Sequence, residues 1–308
     1  MSHFPFPNSA WPTMITPFRE DGSIDYTALG KLTNLYITNG AGGLFSTCQS
    51  SEIFYLSLEE RTKLTRFVVE QAAGRVPVVA SGHISYSMED QKRELSAIAD
   101  CGVDAVILIS NRLAAPDESD SILLDRLDHL IRVLPKEIPL GFYECPYPYK
   151  RLLTPPILDY CIKSGRFYFL KDTCCSLPQI EAKLKLLKGS PIHLYNANTA
   201  TLLGSLRSGA SGYSGVMANF QMRLYAWLVK HWQDSPETSQ RLQNVLTFCS
   251  YIELKNYPQN AKAYLNRYFV PMSERCRKTL QAGLSKDDFT ALEQLRELTL
   301  RMEAKLGI

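Results

Sequence analysis

The run Phe167-Tyr168-Phe169-Leu170-Lys171-Asp172 carries an apolar stretch up to a lysine and a carboxylate. In a strand, the period of two puts Phe167, Phe169 and Lys171 on one face and Tyr168, Leu170 and Asp172 on the other. If the phenylalanines face a core, Lys171 stands at its rim, where lost hydration favours the neutral amine. Such an amine attacks a ketone and forms a Schiff base. The competing role for a strand-end lysine is to snorkel into solvent. In Leu140-Gly141-Phe142-Tyr143-Glu144, Tyr143 shares its face with Gly141, which leaves room for a ligand beside the phenol. A buried phenol near a lysine can pass protons between amine, carbinolamine and substrate oxygen. A strand tyrosine taken alone reads as core. The third candidate is Thr47-Cys48-Gln49-Ser50-Ser51-Glu52, whose hydroxyls and backbone N–H groups suit a carboxylate, or simply form a polar loop. Serine, cysteine and histidine show no triad pattern. His83 could face the same site, but a structural role suits it better.

The elements that must position these groups alternate. Eight short apolar runs, residues 13–16, 44–47, 76–81, 105–109, 140–143, 168–171, 192–195 and 212–216, are separated by helix-like segments. Leu29, Leu32, Leu35 and Tyr36 recur at helical spacing, as do Leu64, Phe67 and Val68. Asp25, Ser57 with Glu60, and Ser87 with Asp90 mark helix starts, and Gly40, Gly74, Gly102 and Gly165 mark ends. The alternation predicts a (β/α)8 TIM barrel, whose catalytic groups come from the C-terminal ends of strands. A doubly wound sheet is disfavoured by the missing G-x-G-x-x-G after the first strand. Residues 1–220 are assigned to the barrel and 221–308 to an all-helical C-terminal extension. Helical runs cover 224–232, 240–251 and 286–305, and Pro258 and Pro271 divide the extension into at least three helices.

Composition narrows the function classes. Of 308 residues, 45% are hydrophobic and 21% charged, values of a folded enzyme rather than a disordered chain. With 34 Lys plus Arg against 31 Asp plus Glu, the net +3 makes no case for a nucleic-acid or membrane partner. No apolar run is long enough to span a bilayer, and residues 1–10 do not read as a signal peptide. The eight cysteines show no C-x-x-C pair and no zinc spacing, so reduced thiols and a cytoplasmic location are expected and no metal ligands are assigned. The adjacent Cys174 and Cys175 are the one oddity.

Thr16-Pro17-Phe18 with Asp21-Gly22-Ser23-Ile24-Asp25, then Cys48-Gln49-Ser50-Ser51-Glu52, Tyr143-Glu144-Cys145-Pro146 and Phe169-Leu170-Lys171-Asp172-Thr173 together form a specific pattern. From about residue 12 onward the chain resembles the dihydrodipicolinate synthase and N-acetylneuraminate lyase family of Schiff-base aldolases. The last three segments fall on that family's G-S/T-T-G-E, Y-N-x-P and G-x-K-D/E-S/T. The resemblance implies that Lys171 forms an imine with a 2-oxo acid such as pyruvate and that Tyr143 relays protons. It implies that Gln49 and Ser50 hold the carboxylate, with Thr173, Ser214, Asn111 and Arg112 as further substrate-binding candidates. The covalent Schiff base with lysine replaces a metal or other cofactor, and a homotetramer built as a dimer of dimers is expected. Three departures bear on the substrate. Asn111-Arg112 stands where dihydrodipicolinate synthases carry Tyr-Tyr, and Pro148 where they carry Arg. Thr199 and Ala200 stand where neuraminate lyases carry an acidic pair. Loss of the Tyr-Tyr relay implies a site complete within one subunit. Arg112, Lys150 and Arg151 are candidate anion donors and Tyr147 and Tyr149 a candidate aromatic wall. The expected substrate is therefore a 2-keto-3-deoxy sugar acid or a shorter 4-hydroxy-2-oxo acid, cleaved or dehydrated. Dihydrodipicolinate synthase itself, and a non-catalytic 2-oxo-acid-binding barrel, are the alternatives.

Overall fold

The computed structural model describes residues 6–278 and 283–308. Its strands are β1 (Ser9–Ala10), β2 (Leu44–Phe45), β3 (Val78–Ser81), β4 (Ala105–Ile109), β5 (Leu140–Tyr143), β6 (Phe167–Asp172), β7 (His193–Asn196) and β8 (Gly212–Tyr213). All pairs are parallel, in the order β1-β8-β7-β6-β5-β4-β3-β2. A bridge from Thr13 to Phe45 joins the two ends of that order. There Phe45 N donates to Pro12 O at 3.1 Å and Met14 N to Phe45 O at 3.0 Å. The result is a (β/α)8 barrel.

The first strand lies earlier than residues 13–16. Pro12 has no N–H to give a ladder and Pro17 closes the segment, so 13–16 supplies a bridge and the ladder forms at Ser9–Ala10. Close approach of β8 to β1 requires a glycine. A Cβ on Gly212, at φ +150°, would stand 1.9 Å from Ser9 O.

Around the strands run α1 (Tyr26–Thr38), α2 (Leu58–Ala72), α3 (Met88–Ala99), α4 (Asp120–Val133), α5 (Pro155–Ser164), α6 (Leu177–Leu187), α7 (Leu202–Arg207) and α8 (Ala218–His231). Expected caps form. Asp25 accepts from Ala28 N, Ser57 and Glu60 make a reciprocal capping box, and Ser87 accepts from Asp90 N. Beyond them lie α9 (Pro236–Cys249), a 3-10 segment at Ser250–Leu254, α10 (Gln259–Tyr268) and α11 (Lys286–Leu306). Residue 220 falls inside α8, and Phe220, Met222 and Leu224 pack in one cluster with α1, α9, α10 and α11. Trp227 and Trp232 pack against this core, whereas Tyr251 is exposed.

The barrel interior is aromatic. Trp11 meets Phe169 edge-on at 5.2 Å, Phe169 stacks on Tyr195 at 4.6 Å, and Phe45 and Ile107 fill the space beside them. These rings form a floor on which polar side chains at the strand ends stand. Among the described residues no helix is long and apolar enough to cross a membrane.

Candidate active site

Strand β6 delivers Lys171 to the interior, though not by unbroken alternation. A register shift against β5 lets Leu140 pair with Phe167 and Gly141 with Phe169. Phe167 therefore turns outward, stacking on Phe142 in the layer between sheet and helices. From Phe169 on, the period holds: Phe169 and Lys171 face in, Leu170 and Asp172 face out. Lys171 is 3% exposed, with Nζ 4.3 Å from the centroid of the Tyr143 ring and 5.6 Å from that of Phe45. Burial lowers its pKa, and Cys48, Cys145 and Glu253 oppose the shift only in part.

Tyr143 is the register partner of Lys171. Its hydroxyl donates to Gln49 Oε1 at 3.4 Å, and burial raises the phenol well above its ordinary value, so it stays protonated. The expectation for Gly141 is corrected. A Cβ there would meet Ile107 Cδ1 at 2.6 Å and Phe169 O at 2.7 Å, so the glycine makes room for neighbouring strands, not for a ligand.

The segment after β2 folds as a 3-10 turn at Gln49–Ser51. Ser50 Oγ donates to Thr13 Oγ1 at 3.1 Å, and Ser51 Oγ lies 2.8 Å from the carbonyls of Met14 and Ser46. Glu52 follows at φ 59° with its carboxylate buried, accepting from Lys262 Nζ at 2.7 Å, Arg277 N at 2.6 Å and Lys278 N at 2.7 Å. The C-terminal segment thus clamps the turn.

Behind β5 and β6 sits a second buried charge cluster. Lys183 Nζ on α6 donates to Asp172 Oδ2 at 2.6 Å and to Glu144 Oε1 at 2.5 Å, and Glu144 also accepts from the amides of Leu153 and Thr173. Burial raises the pKa of Glu144 against the pull of Lys183, and the two carboxylates raise Lys183 although its own burial opposes them. The cluster locks the ends of the strands that carry Tyr143 and Lys171.

One cavity of about 780 Å³ is lined by Gln49, Ser50, Tyr143, Lys171 and Thr173 together. The other three candidates lie elsewhere. Ser214 is fully buried, and its hydroxyl has no partner among the described residues. Asn111 lies in the 3-10 turn after β4, where Nδ2 is spent on the carbonyls of Cys145, Tyr147 and Tyr149. Arg112, in the same turn, stacks between Phe54 and Tyr86 at 4.9 and 4.8 Å, in a separate cavity of about 270 Å³. Of the expected anion donors only Lys150 lines the main cavity, and its ammonium also meets Thr173 O at 2.7 Å. Arg151 is engaged by Asp120 at 2.7 Å. The expected aromatic wall divides: Tyr147 lines the main cavity, while the hydroxyl of Tyr149 meets the carbonyls of Asn111 and Ala114. Thr199 bonds to Tyr225 at 2.8 Å. His83 is structural, held by Gln91 and by Ile109 N, and burial brings its pKa down to about 4.

The sequence reading missed Glu253, Tyr257, Asn198 and Lys278, which line the same cavity. Three of them come from the C-terminal segment, where no strand end or motif draws the eye. Among the described residues no group of three His, Cys, Asp or Glu side chains is placed to hold a metal ion.

The comparisons with known proteins agree with this architecture. A model of the dihydrodipicolinate synthetase family matches residues 7–296. A 4-hydroxy-tetrahydrodipicolinate synthase of Ruegeria pomeroyi is 30% identical over 215 residues, 70% of this chain and 72% of the relative. One of Gluconacetobacter diazotrophicus is 25% identical over 224 residues, 72% and 73% of the two chains. Among solved structures, the sialic acid aldolase of Ruminococcus gnavus superposes with a TM-score of 0.86 at 16% identity, over 98% of both chains. The 4-hydroxy-tetrahydrodipicolinate synthase of Methylacidiphilum fumariolicum gives 0.85 at 21%, over 97% and 98%. With a family match over nearly its whole length, the chain belongs to the dihydrodipicolinate synthetase family and is an enzyme of the class I, Schiff-base-forming lyase type.

Proposed function

We propose that Lys171 forms an imine with the keto carbon of a 2-oxo acid, and that the enzyme acts on a 2-keto-3-deoxy sugar acid or a 4-hydroxy-2-oxo acid. The observation that carries this reading is a buried lysine amine 4.3 Å from a tyrosine ring in the wall of a cavity of about 780 Å³. Burial keeps the amine available as a nucleophile. It attacks the keto carbon, Tyr143 hands a proton to the carbinolamine oxygen, and water leaves. The iminium then draws electrons from the bond between the third and fourth carbons, or from the C–H bond at the third carbon, and becomes an enamine. Gln49 and Ser50 are suited to hold the carboxylate, with Thr173 lining the wall beside Lys171. No cofactor is required, because the iminium is the electron sink. All eight cysteines are free, which supports the proposed cytoplasmic location.

A second reading, condensation of pyruvate with aspartate semialdehyde, is favoured by the name that the curated relatives share. Against it stand Asn111, spent on backbone carbonyls, Arg112, outside the main cavity, and Pro148. A panel of 2-keto-3-deoxy sugar acids and 4-hydroxy-2-oxo acids, scored for pyruvate release and for 2-oxo acid formation without pyruvate, tests the proposal. Activity on the panel supports it and separates cleavage from dehydration. Turnover of aspartate semialdehyde plus pyruvate alone would replace it with the second reading. Binding without imine or turnover would make the chain a non-catalytic barrel.

A further inference from the structure

Beside the main cavity lies the smaller one of about 270 Å³, and Arg112 in its wall is only 6% exposed. A buried guanidinium carries five N–H donors and a charge that calls for an oppositely charged partner. Phe54 and Tyr86 lie over it at 4.9 and 4.8 Å, which offsets part of its lost hydration but offers no acceptor. Its Nε has no hydrogen-bond partner among the described residues. The carboxylates of this region belong to other arginines. Glu118, in the same wall, accepts from Arg126 at 2.6 and 2.7 Å and from Ala115 N at 2.7 Å. Asp120 is taken by Arg151, and Glu94 by Arg61. Tyr149 lines the cavity too, but its hydroxyl is spent on two carbonyls. The same turn holds a second orphan. Asn111 Oδ1 is buried without a donor, while Nδ2 serves three backbone carbonyls.

We propose that this cavity binds a small hydroxylated acid, whose carboxylate or phosphate meets Arg112 and whose hydroxyl donates to Asn111 Oδ1. Water satisfies a hydrogen bond but leaves the charge unpaired, whereas an oxyanion does both. The planar fork of a guanidinium matches two oxygens of a carboxylate or a phosphate, and the flanking rings restrict where that fork can go. With Nδ2 spent, Asn111 can only accept, so it selects a donor beside the acid group. At ~30 Å³ per water the cavity equals roughly nine waters, room for an acid of a few carbons. Tyr86 is exposed and forms the outer wall, so a ligand reaches Arg112 from solvent. The site is separate from that of Lys171 but shares a wall with it. Phe54 also lines the main cavity, where its ring meets Tyr147 at 5.2 Å. The assignment does not depend on imine chemistry.

The test is calorimetric titration of wild type, Arg112→Met, Arg112→Lys and Lys171→Ala with glycerate, glycerol 3-phosphate and propionate, beside circular dichroism. Wild type should show a saturable site for glycerate or glycerol 3-phosphate, and the tighter of the two tells carboxylate from phosphate. Propionate, which lacks the hydroxyl, should bind more weakly. Arg112→Met should lose at least about tenfold in affinity at that site. Arg112→Lys keeps the charge without the fork and should still lose several-fold, which carries the comparison if Arg112→Met does not fold. Lys171→Ala should bind as wild type does. A wild type that binds neither hydroxylated acid, or affinity unchanged in the Arg112 variants, would overturn the proposal. Binding that Lys171→Ala abolishes would overturn it too, by placing the acid in the main cavity. Propionate bound as tightly as glycerate would overturn the part assigned to Asn111.

Discussion

Tyr143 and Lys171 form one register pair across β5 and β6, and both are buried. The phenol keeps its proton and the amine tends to lose its own, which suits a donor beside a nucleophile. Tyr143→Phe removes only the hydroxyl and leaves the ring over which Lys171 stands. It should lower kcat by about 100-fold or more while the fold survives, measured by steady-state kinetics beside circular dichroism. These two residues were legible through the spacing of the family's motifs, with the period of two placing Lys171 only from Phe169 onward, since the register shift turns Phe167 outward. Arg112 was not. The 3-10 turn Ser110–Arg112 sends its side chain between two aromatic rings, a direction that strand periodicity does not describe. Glu253 was equally hidden, since a carboxylate on an irregular segment carries no local signal until the chain around it is folded.

At the scale of elements, the turn carrying Gln49 and Ser50 is held by a buried ion pair reaching across the chain, Glu52 to Lys262. Lys262 is fully buried and Glu52 nearly so. Removing one partner leaves a buried charge without compensation, which costs about 3–5 kcal/mol. Lys262→Met should therefore lower the denaturant midpoint sharply and raise KM for the 2-oxo acid as the turn loosens. Pairing it with Glu52→Gln should recover part of the stability, because the orphaned charge goes too. An unchanged midpoint in the single variant would show that the clamp does not hold the turn. Lys183→Met applies the same logic to β5 and β6, whose ends would then carry Glu144 and Asp172 without their ammonium. The barrel strands were legible in order and number, and the helical character of the extension was legible as well. The clamp was not, because nothing in a segment of 10 residues such as α10 reveals a partner so distant in sequence.

For the whole molecule, we propose on the family resemblance a homotetramer, and on the absent Tyr-Tyr pair a site that each subunit completes by itself. Light scattering measures the assembly. Co-assembled Lys171→Ala and Tyr143→Phe chains should show no more activity than the parents, whereas recovery would show a site shared between subunits. The barrel as a frame was readable from alternation, but the pocket that it encloses is completed by residues 253, 254, 256–258 and 278, which only the folded chain brings to it. The account depends above all on the chemistry of one amine. Intact-protein mass spectrometry after borohydride reduction in the presence of pyruvate, followed by peptide mapping, tests it most directly. The account predicts one pyruvate-derived adduct per chain, located on Lys171 and absent from Lys171→Ala. An unchanged mass, or an adduct on another lysine, would contradict it.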